Sequence, residues 1–280
     1  MAGAPSARAE LEGVAWVTAL TVHAPSRKPM ARRVSRPSWL TIPRRALMHS
    51  SRARRMWWRT RKSSEVDFWA AWLAGAPGTE QWTSDRESRL APDTEIRDPV
   101  MRAELERNPA EGISVLDVGA GPITALGYRY PGKSLTIVPV DPLADEYDRL
   151  LRDAELDPPI RTIRVAGEEL QEHFGARKFD IAYAVNSLDH SADPFTIISN
   201  MVAVVRPGGI VLLRHKRNEG ESARYGGLHQ WNFDVVHDSL IVWNNAVEVN
   251  VGSALEGRAV TTAWISQGEV IARLVVSESN

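Results

Sequence analysis

The sequence predicts an α/β fold: a mostly parallel sheet with a C-terminal antiparallel hairpin and an N-terminal helical cover. Three observations support it. Val115, Leu116 and Val118 make an apolar run that opens onto Gly119-Ala120-Gly121-Pro122, as a buried strand opens onto a tight turn. Short apolar runs then alternate with helical patterns, which argues for parallel strands joined by crossovers. Near the end, Arg258 to Ser266 and Glu269 to Val276 are β-rich runs around Gln267-Gly268, the pattern of a hairpin.

The elements follow in order. Residues 1–62 hold 14 Lys and Arg against 2 acidic residues, whereas the remainder holds 20 against 33, so the net charge of −1 hides a basic extension. Arg52, Arg54, Arg55, Arg59, Arg61 and Lys62 interleave with Trp57 and Trp58, a pattern that suits a nucleic-acid or membrane surface and equally a disordered tail. We expect disorder through residue 62. From Ser63 the texture changes: Ser63 or Ser64 can cap a helix whose Val66, Phe68, Trp69, Trp72 and Leu73 follow helical spacing until Gly75 and Pro77. Its aromatic face either packs on the sheet or forms a lid. Residues 63–110 make the helical cover and 111–280 the main domain.

Within that domain, residues 134–140 read as a second strand ending at Asp141, about 20 positions after the glycine turn, where a ribose-binding carboxylate is expected. Pro142 to Asp153 reads as helix, with Asp141 an alternative N-cap. Ile160 to Val165 reads as strand, Glu168 to Phe174 as helix and Phe179 to Val185 as strand. A helix from Pro194 to Val205 precedes Arg206-Pro207-Gly208-Gly209 and the strand 210–213.

The chain has no Cys, which excludes disulfides, thiolate metal sites and cysteine nucleophiles. The apolar stretch Val14 to Val22 is too short to span a bilayer, and Glu10 and Glu12 stand where a signal peptide carries positive charge, so the expected location is the cytoplasm.

Asp117-x-Gly119-x-Gly121-Pro122 resembles the first motif of the class I S-adenosylmethionine-dependent methyltransferases, and the Pro207-Gly208-Gly209 turn before an apolar strand is a second mark of that family. The resemblance implies a Rossmann-like methyltransferase fold. It also implies S-adenosylmethionine lying across Asp117, Gly119, Ala120, Gly121, Pro122, Asp141, Pro142, Glu168 and Asn186, with Glu168 toward the adenine and the methyl group toward Asp189, His190 and His229.

Catalytic groups should follow the later strands. His190, with an ordinary pKa near ~6.5, suits a general base, and Asp189 and His229 accompany it. Asp189, Asn218 and Glu219 offer oxygen ligands for Mg²⁺, a layout similar to metal-assisted catechol and sugar O-methyltransferases. His215, Tyr225, His229, Gln230 and Trp231 suit polyol recognition, and their placement resembles bacterial mannoside-type O-methyltransferases. The alternative for this segment is an insertion packing beneath the terminal strands. The expected activity is O-methylation of a small polar acceptor, a sugar or glycoside, by a protein without a membrane span and compatible with a homodimer. A nucleic-acid methyltransferase anchored by residues 52–62 is disfavoured, because Asn186-Ser187-Leu188-Asp189 lacks an Asn-Pro-Pro-aromatic pattern; a noncatalytic binding protein on the same fold is a further alternative.

Overall fold

A computed structural model describes residues 50–77, 79, 83–176 and 178–278, all within one compact unit. The stretch Val14 to Val22 and the rest of the basic extension before residue 50 lie outside the described residues. The expectation of disorder through residue 62 is corrected from Ser51 onward: Ser51–Arg61 is helix α1, entered from Ser50, whose hydroxyl accepts from the Ala53 N–H. Arg54 anchors it. Its guanidinium is buried, donates to the Ala192 carbonyl and the Asp193 carboxylate, and lies over the Trp231 ring.

Helix α2, Ser63–Leu73, begins directly afterwards at Lys62 without a side-chain cap, so neither Ser63 nor Ser64 performs the expected capping. Trp72 and Leu73 pack with Ile123 and Leu151, with Trp69 partly buried beside them and Phe68 left exposed. Helices α3, Thr83–Leu90, and α4, Pro99–Arg107, lead into the sheet. Asp98 caps α4 by accepting the Val100 and Met101 N–H groups, and Pro99 takes the first turn, where a missing N–H costs nothing.

The main sheet is assembled from β1 (Gly112–Val118), β2 (Ser134–Val140), β3 (Phe179–Val185), β4 (Val205–Lys216), β8 (Ala259–Ser266) and β9 (Glu269–Val276). Its order is β2-β1-β3-β4-β9-β8. The first four strands are parallel, and β9 runs antiparallel between β4 and β8, which is the expected hairpin. The sheet is covered on both faces, which explains the continuous apolar runs. Val115, Ile181, Tyr183 and Leu212 meet Met101 and Leu105 of α4 on one side. Leu116, Ala182, Val211 and Leu213 meet Ile198, Met201 and Val202 of α7, Pro194–Val204, on the other. The remaining helices are α5, Ala144–Asp153, and α6, Leu170–Phe174.

One expectation needs correction. Residues 160–165 do not form a strand; only Ile163 bridges to Val140, beyond the β2 edge. The chain at 219–254 adds α8 (Glu219–Ser222), the strands β5 (Asn232–Val236), β6 (Ser239–Trp243) and β7 (Glu248–Asn250), and α9 (Val251–Ala254). These three strands form a separate antiparallel sheet whose Phe233, Leu240 and Val242 share a core with Val270, Ala272 and Leu274 of β9. Among the described residues, no helix is long and apolar enough to cross a membrane.

Candidate active site

The strand order reverses at β1, so the carboxyl ends of β1 and β3 flank a crevice. The glycine turn fills its floor. Gly119 and Ala120 donate their N–H groups to the Val140 carbonyl at 2.8 and 3.1 Å, which docks the turn on the end of β2. Gly119 and Gly121 have φ of 73° and 68°, in the left-handed region that side chains resist. A Cβ on Gly119 would lie 2.5 Å from Ser187 Cβ, and one on Gly121 would lie 2.9 Å from the Trp69 ring. Helix α2 therefore reaches over the turn.

Asp117 is buried and accepts a 2.5 Å hydrogen bond from Thr124 Oγ1, which in turn accepts the Leu126 N–H, so the carboxylate braces the loop that Pro122 opens. Burial pushes its carboxyl up to about 6, against the opposing effects of Thr124 and Arg89. Asp141 accepts the Leu143 N–H at 2.9 Å and the Gly121 N–H at 3.3 Å, so it turns the chain after Pro142 and ties the two strand ends together. Burial pushes it up to about 7. Thr162, which the sequence did not single out, donates to the Gly121 carbonyl at 2.8 Å. Glu168 lies in a 3-10 turn, partly exposed, with its pKa raised by burial.

After β3 the chain turns sharply. Asn186 adopts φ of 44°, and its Oδ1 accepts the Lys216 N–H at 2.8 Å, so its side chain stitches β3 to β4. A 3-10 turn, Leu188–His190, then buries Leu188 in the core and presents Asp189 and His190 together. His229 arrives on the segment after α8, which is held because the Gln230 N–H donates to the Asp189 carbonyl. Asp189 Oδ2 lies 2.8 Å from His229 Nδ1 and 3.5 Å from His190 Nε2. The two ring nitrogens lie 3.0 Å apart.

The cluster continues into α2. Glu65 Oε2 lies 3.1 Å from His190 Nδ1, and Glu65 Oε1 accepts from Trp69 Nε1 at 2.9 Å. Burial disfavours charge on His190, but the carboxylates of Asp189 and Glu65 outweigh it and push its pKa up to about 10. Burial likewise acts to raise Asp189 and Glu65, and the His190 charge overcomes it, leaving both below the ordinary carboxylate value. The flanking carboxylates thus draw the His190 ring toward its protonated form, which bears on its expected role as a base near neutral pH.

Other expected residues are placed differently. Among the described residues, the group of three His and acidic side chains whose ligand atoms converge is Asp189, His190 and His229, and it does not include Glu219. Asn218 donates to Asp234 Oδ2 and accepts from Trp243 Nε1, and Glu219 pairs with Lys216 Nζ at 2.6 Å. His215 is 1% exposed and stacked on Phe233, with neither ring nitrogen hydrogen-bonded, and burial lowers it to about 4, so it is a neutral core ring and not a substrate contact. Gln230 and Trp231 are buried as well; Gln230 Nε2 donates to the Tyr225 and His229 carbonyls and Trp231 Nε1 to the Ser191 carbonyl. The Tyr225 hydroxyl accepts from Asn232 Nδ2. This segment shapes the loop that carries His229. The apolar spacing of its neighbours does not single out Glu65; its one local signal is that Glu65 and Trp69, at i,i+4, share one face of α2.

A family model described as "Methyltransferase domain" matches residues 88–244. The chain is 26% identical over 168 residues to a 2-methyl-6-phytyl-1,4-hydroquinone methyltransferase of Synechocystis sp., a match covering 55% of this chain and 50% of that protein. It is 24% identical over 211 residues to a ubiquinone biosynthesis O-methyltransferase of Rhodopseudomonas palustris, covering 66% of this chain and 79% of that one. Among solved structures, a SAM-dependent methyltransferase from Methanosarcina mazei is similar at 17% identity with a TM-score of 0.41, covering 65% of this chain and 100% of that chain.

Proposed function

Because the chain belongs to the methyltransferase-domain family, we propose that it moves the methyl group of S-adenosylmethionine to a hydroxyl oxygen of a small polar acceptor. One observation carries this reading: the glycine turn and Asp141 flank the end of β1, and the Asp189, His190 and His229 cluster follows the adjacent end of β3. The cofactor fits the first half on two grounds. The glycine turn sits where β1 ends and is docked on the end of β2, and the Asp141 carboxylate lies beside it, tied to the Gly121 N–H, which supports a role in gripping a ribose. Asp117, Ala120, Pro122 and Pro142 shape that cradle, with Glu168 and Asn186 at its margins. When bound, S-adenosylmethionine supplies an electrophilic methyl carbon.

The residues of the second half handle the acceptor. Asp189 fixes His229 through Nδ1, and the half-exposed ring can receive the acceptor hydroxyl; His190 brings positive charge to the oxygen as it loses its proton. Mg²⁺ held by Asp189, Asn218 and Glu219 has no support in this placement, because Asn218 and Glu219 are engaged elsewhere.

The acceptor reading has two branches. The sugar or glycoside expected from residues 225–231 has lost part of its basis, because Gln230 and Trp231 bond within the protein. The hydroquinone in one relative's name, taken together with the O-methylation in the other's, favours a second branch, a phenolic hydroxyl. Calorimetric titration with S-adenosylmethionine, followed by a screen of glycosides and hydroquinones, tests both. We expect micromolar cofactor binding, lost first in Asp141→Ala, and turnover that falls at least 100-fold in His229→Ala with cofactor affinity retained. Absence of cofactor binding would overturn the reading, and binding without turnover on any hydroxyl would favour a noncatalytic protein.

A further inference from the structure

We propose that Asp189, His190 and His229 bind one divalent transition-metal ion of the zinc class, and that the acceptor hydroxyl ionises on it. The proposal deepens the O-methylation reading and rests on it for the role of the metal, though not for its binding.

The geometry comes first. Asp189 Oδ2, His190 Nε2 and His229 Nδ1 form a triangle with sides of 2.8, 3.0 and 3.5 Å. Metal–ligand bonds of about 2.1 Å place neighbouring ligand atoms about 3.0–3.5 Å apart, so the triangle has the size of one face of a coordination polyhedron. Protons fit it poorly. His229 Nδ1 faces both Asp189 Oδ2 and His190 Nε2 at hydrogen-bond distance, yet one ring nitrogen either donates or accepts. If it donates to Asp189, it cannot accept from His190; if it accepts from His190, its lone pair confronts the carboxylate. A cation at the centre satisfies all three atoms at once, displacing the proton that His190 otherwise holds between its two carboxylates.

Glu65 supplies an independent second observation. Its carboxylate lies 3.1 Å from His190 Nδ1, the ring nitrogen facing away from the triangle, and is itself held by Trp69. A carboxylate behind a histidine fixes the proton on the outer nitrogen and turns the inner lone pair toward a metal. The Asp189 backbone is also fixed, by the Gln230 N–H, so two of the ligands are held from behind.

Two imidazole nitrogens and one carboxylate oxygen suit Zn²⁺, Co²⁺, Ni²⁺ or Fe²⁺, whereas Mg²⁺ demands oxygen ligands in near-octahedral array. Three protein ligands leave positions open for an acceptor oxygen. On such an ion the acceptor O–H bond breaks with its proton released to water, and the oxygen pair forms the bond to the methyl carbon. The carbon–sulfur bond breaks with its pair staying on sulfur, so no redox partner is needed.

The test uses the tag-free full chain, stripped with chelator and dialysed against Co²⁺ or Zn²⁺. We expect one equivalent of metal by elemental analysis, visible Co²⁺ absorption displaced by Zn²⁺, and no comparable uptake of Mg²⁺. His229→Ala and Asp189→Asn should each weaken Co²⁺ binding at least 100-fold, and Glu65→Gln, which removes only the positioning contact, about 10-fold. Uptake below one equivalent, or uptake unchanged in His229→Ala and Asp189→Asn variants that stay folded by circular dichroism, would overturn the proposal. S-adenosylmethionine titration of the same stripped protein separates the two readings: cofactor binding without metal uptake defeats only the metal, and metal uptake without cofactor binding defeats only the methyltransferase role.

Discussion

Asp141 shows how one buried carboxylate can serve both turn and ligand. It accepts the N–H groups of Leu143 and Gly121, which sets the loop, while burial lifts its pKa to about 7 from an unfolded value near ~3.9. The folded state therefore disfavours its ionisation. Stability from this group is complete below pH ~4 and is lost as pH rises through about 7. Ribose recognition has the opposite dependence, because only the ionised carboxylate accepts two hydroxyls. S-adenosylmethionine affinity should thus strengthen between pH 6 and 8 while the cofactor-free protein becomes less stable, and Asp141→Asn should flatten both profiles when calorimetry and urea midpoints are compared. A cofactor affinity independent of pH across that range would remove the ionised carboxylate from the binding account.

At the scale of elements, Asp98 joins four pieces of structure. It caps α4, accepts from the Tyr183 hydroxyl of β3 at 3.1 Å and pairs with Arg214 of β4 at 2.8 Å, and Arg214 also pairs with Glu269 of β9. Removing it leaves a mostly buried guanidinium with one partner fewer. Asp98→Ala should lower unfolding stability by about 3–5 kcal/mol in urea titration, where a simple cap would cost about 1. The elements were legible where one physical cause dominates. Val115 to Val118 and Ile181 to Ala184 are buried on both sheet faces, so their apolar runs announce strands. Residues 160–165 carry a similar run but lie beyond the edge strand, with Thr162 bonded to the glycine turn and Arg161 paired with Asp148 and Asp157, so no ladder forms. Glu65 was illegible for another reason: its role depends on α2 meeting the turn after β3, a tertiary contact that no local spacing encodes. His215 misled because a polar residue near a strand end resembles a site, whereas here it stacks inside the core on Phe233.

For the molecule as a whole, the proposed cofactor site joins β1, β2 and the turn after β3, so a ligand held there should stabilise the entire cooperative unit. At 100 times Kd, S-adenosylmethionine should add about 2.7 kcal/mol, which for a chain of this size raises Tm by about 5–10 °C in a thermal scan. Gly119→Ala, which forces a side chain toward Ser187, should abolish that shift while the variant retains a folded transition. A full shift in this variant would show that the turn does not face the ligand.

Glu65 and Trp69 stand upstream of residue 88, where the span that defines the family begins. The side chains that touch the glycine turn and His190 from α2 are thus supplied by a piece of sequence outside the matched span. Because Trp69 meets Gly121 while Glu65 meets His190, a change within residues 63–73 would reach the glycine turn and the acceptor side of the proposed site together.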